Sequence, residues 1–171
     1  AKIDSSVFPG LQGGPHMNNV AGAAITFKKA AEPAFAEYAT ATLRNAKTLA
    51  ATLVAEGATL VTGGTDNHLM VVDTVASFGL DGRKAEATLD RVGITTNKQL
   101  IPDDPRPPLR PSGVRLGTPA CTTRGMGESE MARIGGWIVT ALRRHDDDAA
   151  LARVATEVRD CCRQFPVPGI A

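Results

Sequence analysis

Ser112-Gly113-Val114-Arg115-Leu116-Gly117-Thr118-Pro119 reads as a short apolar strand carrying one guanidinium, bordered by small residues that leave room around it. The strand emerges from residues 101 to 111, which hold five prolines, Pro102, Pro105, Pro107, Pro108 and Pro111. Proline lacks the N–H that helices and ladders require, so this approach is an extended, stiff loop. A guanidinium is permanently charged and costly to bury, so Arg115 needs an anion. That anion is either a protein carboxylate or a substrate carboxylate held as a bidentate pair. The residue type alone leaves both open.

Outward from this strand the chain alternates helices with short apolar runs. From Met17, apolar residues such as Val20, Ala24 and Phe27 recur at three- and four-residue spacing and predict a helix over residues 17 to 31. Pro33 suits the first turn of the next helix, which runs to about Glu56, with Gly57 placed as a left-handed stop. Its apolar side holds Phe35, Tyr38, Leu43, Ala46, Leu49, Ala50, Leu53 and Val54. Residues 58 to 61 and 69 to 75 read as strands around the turn Thr62-Gly63-Gly64-Thr65-Asp66-Asn67. Asp81 caps a helix over residues 83 to 92 that Gly93 closes, and residues 94 to 96 form a brief strand. Two last helices cover residues 128 to 144 and 148 to 165. The first turns Ile134, Trp137, Ile138, Ala141 and Leu142 inward, and the second Leu151, Val154, Ala155, Val158 and Cys162. Residues 1 to 15, rich in Gly and Pro without periodicity, read as an irregular loop. This order predicts an α+β layer, a small sheet covered by helices.

Composition narrows the function. Of 171 residues 43% are hydrophobic, enough for a core. Nineteen Lys+Arg against eighteen Asp+Glu leave a net charge of +1, which argues against a nucleic-acid face or a charge-driven membrane role. Aromatics at 4% put the core on Ala, Val, Leu and Ile and suggest no base-stacking surface. The apolar runs fall far short of the roughly 18 residues that span a bilayer, and the N-terminus lacks a signal-peptide pattern, so a soluble, cytoplasmic chain is expected. Cys121, Cys161 and Cys162 have no CxxC spacing, which indicates neither a zinc site nor a disulfide framework. No metal-ligand cluster, HExxH or GxSxG elbow is present, so hydrolase and metalloenzyme readings find no support.

The segment Gly10-Leu11-Gln12-Gly13-Gly14-Pro15 is the second candidate. Three glycines in five positions let backbone N–H groups approach an anion, although a plain loop turn has the same composition. It matches neither a Walker A sequence nor a dinucleotide fingerprint. His68 invites a general-base role, but a hydrogen-bonded turn is the simpler reading. His16 suits a helix start and His145 a solvated helix junction, while Lys98 and Arg124 read as surface charges able to meet an anion.

Taken in order, the motifs go further. Val7-Phe8-Pro9-Gly10-Leu11-Gln12-Gly13-Gly14-Pro15, Gly63-Gly64-Thr65-Asp66-Asn67-His68-Leu69, Gly93-Ile94-Thr95-Thr96-Asn97-Lys98, Ile101-Pro102-Asp103-Asp104-Pro105-Arg106, residues 112 to 120 and Thr122-Thr123-Arg124-Gly125 resemble the C-terminal portion of serine (glycine) hydroxymethyltransferases. The resemblance spans nearly the whole chain. It implies the aspartate-aminotransferase-like fold type I of pyridoxal-phosphate (PLP) enzymes. Residues 1 to 32 would then end the large cofactor domain, and residues 33 to 171 would form the α+β small C-terminal domain. It also implies a homodimer or a dimer of dimers that interconverts serine and glycine with tetrahydrofolate as one-carbon acceptor and PLP as electron sink.

Under that resemblance Gly13 and Gly14 match the glycines that bind the cofactor phosphate of the neighbouring subunit, and Arg115 matches the arginine that grips the amino-acid carboxylate. Gln99, Pro108 and Leu109 fall on the folate side. Gln99 stands where asparagine is common in the family, and Pro107-Pro108-Leu109 replaces a usual Ser-Pro-Phe. The family's cofactor-bearing lysine lies upstream of the glycine loop and nothing like it precedes Ala1, so these residues by themselves are expected to be catalytically incompetent. Related α-methylserine hydroxymethyltransferases and threonine-type transaldolases share the glycine loop and the arginine. A non-catalytic oligomerisation module is the reading from another class.

Overall fold

The computed structural model describes residues 1–169 and divides into two compact units, Ala1–Glu37 and the remainder from Tyr38. In the first unit, α1 (Lys2–Ser5) leads into a wide helical turn at Ser6–Leu11 that is interrupted at Phe8, where the backbone is extended (φ −134°, ψ 125°). The irregular loop expected over residues 1 to 15 is therefore confined to its end. The Ser5 and Ser6 hydroxyls both donate to the Lys2 carbonyl, and the Gln12 N–H donates to Val7. These local bonds coil the segment despite Pro9 and Gly10. α2 (Met17–Ala30) follows as expected, with Val20, Ile25 and Phe27 exposed.

α3 (Pro33–Ala55) opens on proline, whose missing N–H is unneeded in a first turn. Within the second unit it buries Ala46, Leu49, Ala50 and Leu53, a stripe at i, i+3, i+4 and i+7. Leu43 and Val54, expected on the same side, stay at least 40% exposed, so the buried stripe is narrower than the hydropathy pattern. Gly57 ends the helix at φ +83°. Then come β1 (Thr59–Leu60), β2 (Leu69–Asp73), α4 (Thr74–Phe78), α5 (Gly82–Arg91), β3 (Asn97–Gln99), β4 (Gly113–Gly117), α6 (Pro119–Thr123), α7 (Glu128–Arg143) and α8 (Asp148–Gln164).

Three expectations are corrected here. β2 stops at Asp73 rather than residue 75, because the Asp73 carboxylate accepts from the Ala76 N–H and starts α4. The short strand lies at Asn97–Gln99, not at residues 94 to 96, which form an irregular link after the helix stop at Gly93, with the Ile94 N–H donating back to the Leu89 carbonyl. On α8 it is Cys161 that is buried, with Cys162 half-buried at the core's edge. The Asp81 cap stands as expected, its carboxylate accepting from the Lys84 N–H at 2.9 Å.

The four strands are antiparallel in the order β1-β2-β4-β3. Met70, Val72, Val114 and Leu116 are buried and join the core with Leu53, Leu89, Ile138, Leu142, Leu151 and Val154 from the helices. Each fully buried leucine of this set contributes about 2 kcal/mol. Alternation then sends Val71 and Arg115 to the opposite face. The start of α5 packs so closely on the start of β4 that a Cβ on Gly82 would collide with the Gly113 carbonyl, and the Gly82 N–H donates to Pro111 at 2.7 Å. α7 and α8 are clamped by the Trp137 indole N–H donating to Glu157 at 2.6 Å, with the Arg133 guanidinium over the same ring.

Candidate functional site

In the first unit the helical turn ends at Leu11, and the chain leaves it extended at Gln12 before a bend at Gly14. The N–H groups of Gly13 and Gly14 donate to no acceptor among the described residues, and a Cβ at either position would meet nothing within 4 Å. Neither glycine has a positive φ. The loop therefore offers two bare backbone donors in an open setting, a fit for a phosphate or another small anion.

In the second unit, β4 is paired on both sides, with Val71 and Asn97 opposite Arg115. The Arg115 Nε–H donates to Asn97 Oδ1 at 3.0 Å. Arg115 is exposed rather than buried, and no carboxylate lies within ion-pair distance of its guanidinium among the described residues. The structural salt bridge that the sequence left open is absent among these residues. Arg115 lines a cleft of about 720 Å³ at the end of the sheet where β3 enters and β4 leaves. His68, Thr96, Cys121 and Trp137 also line it. The Thr96 hydroxyl is buried without a partner among the described residues.

The strand end that carries Arg115 is tied down from two directions. On one side the Thr118 hydroxyl donates to the Thr42 carbonyl, and buried Asn45 donates to Thr122 and to the Met126 carbonyl, fastening α6 to α3. On the other, Asp104 gathers the proline-rich loop. Its carboxylate accepts from the N–H groups of Ile101, Arg106 and Ser112 and from the Ser112 hydroxyl. Desolvation pushes this carboxyl up, but the four donors outweigh it and hold it down to about 2.

The remaining candidates fall into place around this pair of strands. Gln99 lies on β3, its Cα partner is Gly113, and its side chain donates to the Leu100 carbonyl. Pro108 and Leu109 are exposed on the loop, Leu109 by 75%, and do not line the cleft. His68 leaves the turn to Thr65 and Asn67, which satisfy it with their side chains, while its own carbonyl accepts from Thr118. Lys98 and Arg124, read as surface charges, are engaged. Lys98 pairs with Glu86 at 3.1 Å, and Arg124 donates to the Cys162 and Phe165 carbonyls at the end of α8. Burial pushes the Cys121 thiol up, with Arg124 pulling against it. Asn97, Glu86 and Asp104 escaped the sequence reading as individual candidates, since only strand register reveals what they hold. Among the described residues, no helix is long and apolar enough to cross a membrane, and no three metal-binding side chains cluster.

A family model described as serine hydroxymethyltransferase matches residues 1–138. The chain is similar to proteins named serine hydroxymethyltransferase from Rhodopirellula baltica, 54% identical over 99% of this chain, and from Acidobacterium capsulatum, 48% identical over 99%. It is also similar to one named serine hydroxymethyltransferase 1 from Pseudomonas aeruginosa, 48% identical over 97%. The chain spans about 40% of the length of these curated relatives, in their C-terminal part.

Proposed function

The chain belongs to the serine hydroxymethyltransferase family of fold-type-I PLP enzymes, and from that membership we propose that it supplies the substrate-carboxylate anchor of an enzyme interconverting serine and glycine with tetrahydrofolate. The observation that carries the proposal is Arg115. It is a guanidinium on a doubly paired strand, oriented through Nε and without a carboxylate partner among the described residues. The guanidinium is exposed and so free to meet a ligand, and its planar fork suits an amino-acid carboxylate. A carboxylate held there fixes the substrate's orientation, and orientation selects which bond is broken.

In this reading residues 1 to 32 end the large domain and residues 33 to 171 form the small one. Gly13 and Gly14 offer their backbone N–H groups to the PLP phosphate of a neighbouring subunit in a homodimer or a dimer of dimers, in keeping with their unclaimed donors. PLP, when bound, serves as the electron sink of the reaction. Gln99, Pro108 and Leu109 stand on the folate side, and the assembled enzyme works in the cytoplasm.

The test is Arg115→Ala in the PLP-loaded enzyme that carries this chain. The KM for serine should rise by roughly two orders of magnitude or more, the effect of losing a bidentate charge-assisted contact. An unchanged affinity for serine overturns the proposal.

A further inference from the structure

We infer that Asn97 is a positioning residue for Arg115: it holds the guanidinium through Nε so that the terminal N–H groups are presented to a carboxylate as a fork, and its own placement is set from α5 through Lys98 and Glu86. The inference deepens the reading of Arg115 as the carboxylate anchor and rests on it.

Asn97 and Arg115 are direct cross-strand partners on β3 and β4, so their side chains rise from the same face of the sheet. The Asn97 Oδ1 accepts from Nε at 3.0 Å, while its Nδ2 donates to the Lys98 carbonyl at 2.9 Å. That second bond fixes the amide's orientation, because only the oxygen can then face the guanidinium. Of the five N–H donors on arginine, one is taken by Asn97 and four remain on the terminal nitrogens, the number a bidentate carboxylate contact requires with room to spare.

β3 is a three-residue edge strand, and pairing with β4 alone holds it weakly. Glu86 on α5 adds a second hold. Its two oxygens accept from the Lys98 backbone N–H and from Lys98 Nζ, each at 3.1 Å. The pair is partly shielded, with the Glu86 side chain 23% exposed. A chain of contacts thus runs from α5 through Lys98 and Asn97 to the anchor.

The chemistry of the acceptor matters. An aspartate at position 97 could accept the same Nε–H, but it would neutralise the guanidinium and compete with the incoming carboxylate. Asparagine orients without consuming the charge.

Steady-state kinetics on the holoenzyme that carries this chain test the inference, with melting temperatures measured alongside. Asn97→Ala should raise the KM for serine about tenfold while kcat changes little, the pattern of lost binding orientation. Asn97→Asp, close to isosteric, should raise it further, and it keeps the test alive if the alanine variant does not fold. Glu86→Gln should raise it about threefold, in proportion to a weakened second hold. In an Arg115→Ala background Asn97→Ala should add nothing, because its effect passes through Arg115. If Arg115→Ala weakens serine binding while Asn97→Ala and Asn97→Asp leave it unchanged, or if the double variant is additive, the inference fails and the anchor stands. If Arg115→Ala itself has no effect, the anchor reading fails and takes the inference with it.

Discussion

The glycine loop at residues 10 to 15 and the β3–β4 pair around Arg115 both present N–H groups to an anion, yet they are prepared for it in opposite ways. The loop offers backbone donors that nothing in its own unit claims, with open space where a Cβ would stand at Gly13 and Gly14. Arg115 offers side-chain donors that are oriented before any ligand arrives, by two paired strands, the Asn97 amide and the fastening of α6 to α3. Backbone donors are available wherever the chain is extended and small. A long side chain needs its rotamers removed first, and the surrounding fold supplies that order. The two regions therefore differ in what a substitution should cost.

The sharpest way to break the contrast is Arg115→Lys. If the sheet prepares a planar fork rather than a point charge, lysine keeps the charge and loses the geometry. Serine binding should weaken by about 1.5 to 3 kcal/mol, read as serine KM in the holoenzyme. Wild-type affinity in that variant would mean that charge alone suffices.

Next comes Gly82→Ala, which attacks the scaffold of the arginine without touching it. The added methyl meets the Gly113 carbonyl at the foot of β4. Global stability should fall by about 1 to 3 kcal/mol in urea denaturation. A neutral result would mean that α5 and β4 shift apart more freely than their contact suggests.

A smaller effect belongs to Asp104. Its carboxyl is held to about 2 from an ordinary 3.8, so the stabilisation is present above pH 3.8 and is lost as pH falls through that window. The urea midpoint should drop between pH 4 and pH 2, and Asp104→Asn should flatten that slope while lowering the midpoint at neutral pH. An unchanged slope would remove Asp104 as the clasp of the loop.

Gly13→Ala should do least. The backbone N–H survives, the φ is ordinary and the new methyl has room within this chain. PLP retention after gel filtration, followed by visible absorbance, should fall only a few-fold, within about 1 kcal/mol. Complete loss of PLP would show that a neighbouring surface closes on this loop and leaves no room for a methyl.

Much of the fold was legible because long helices announce themselves. The caps at Pro33 and Asp81, the stops at Gly57 and Gly93 and the buried faces of α7 and α8 follow from local chemistry that any context would obey. The short elements were not legible. β3 is Asn97-Lys98-Gln99, a polar trio with little strand propensity, and it is a strand only because β4 offers an edge to pair with. The β-branched residues 94 to 96 looked better, but the Ile94 N–H is spent on the helix end at Leu89 and the three form an irregular link. α4 and α6, five residues each, are too short for periodicity to mark.

The candidate site divides along the same line. By itself the sequence determined that this chain carries a permanent charge at Arg115, able to meet a protein or a substrate carboxylate, and backbone donors at Gly13 and Gly14, because a permanent charge and a missing Cβ are properties of the residue. Its ordered motifs likewise sufficed to indicate the family. Only the tertiary structure decided that Arg115 finds no carboxylate among the described residues, that Asn97 takes its Nε and that Glu86 steadies the strand beneath. These are facts of register. In a pleated sheet a neighbour 18 residues away in sequence becomes the closest partner, and no local pattern encodes which one it is.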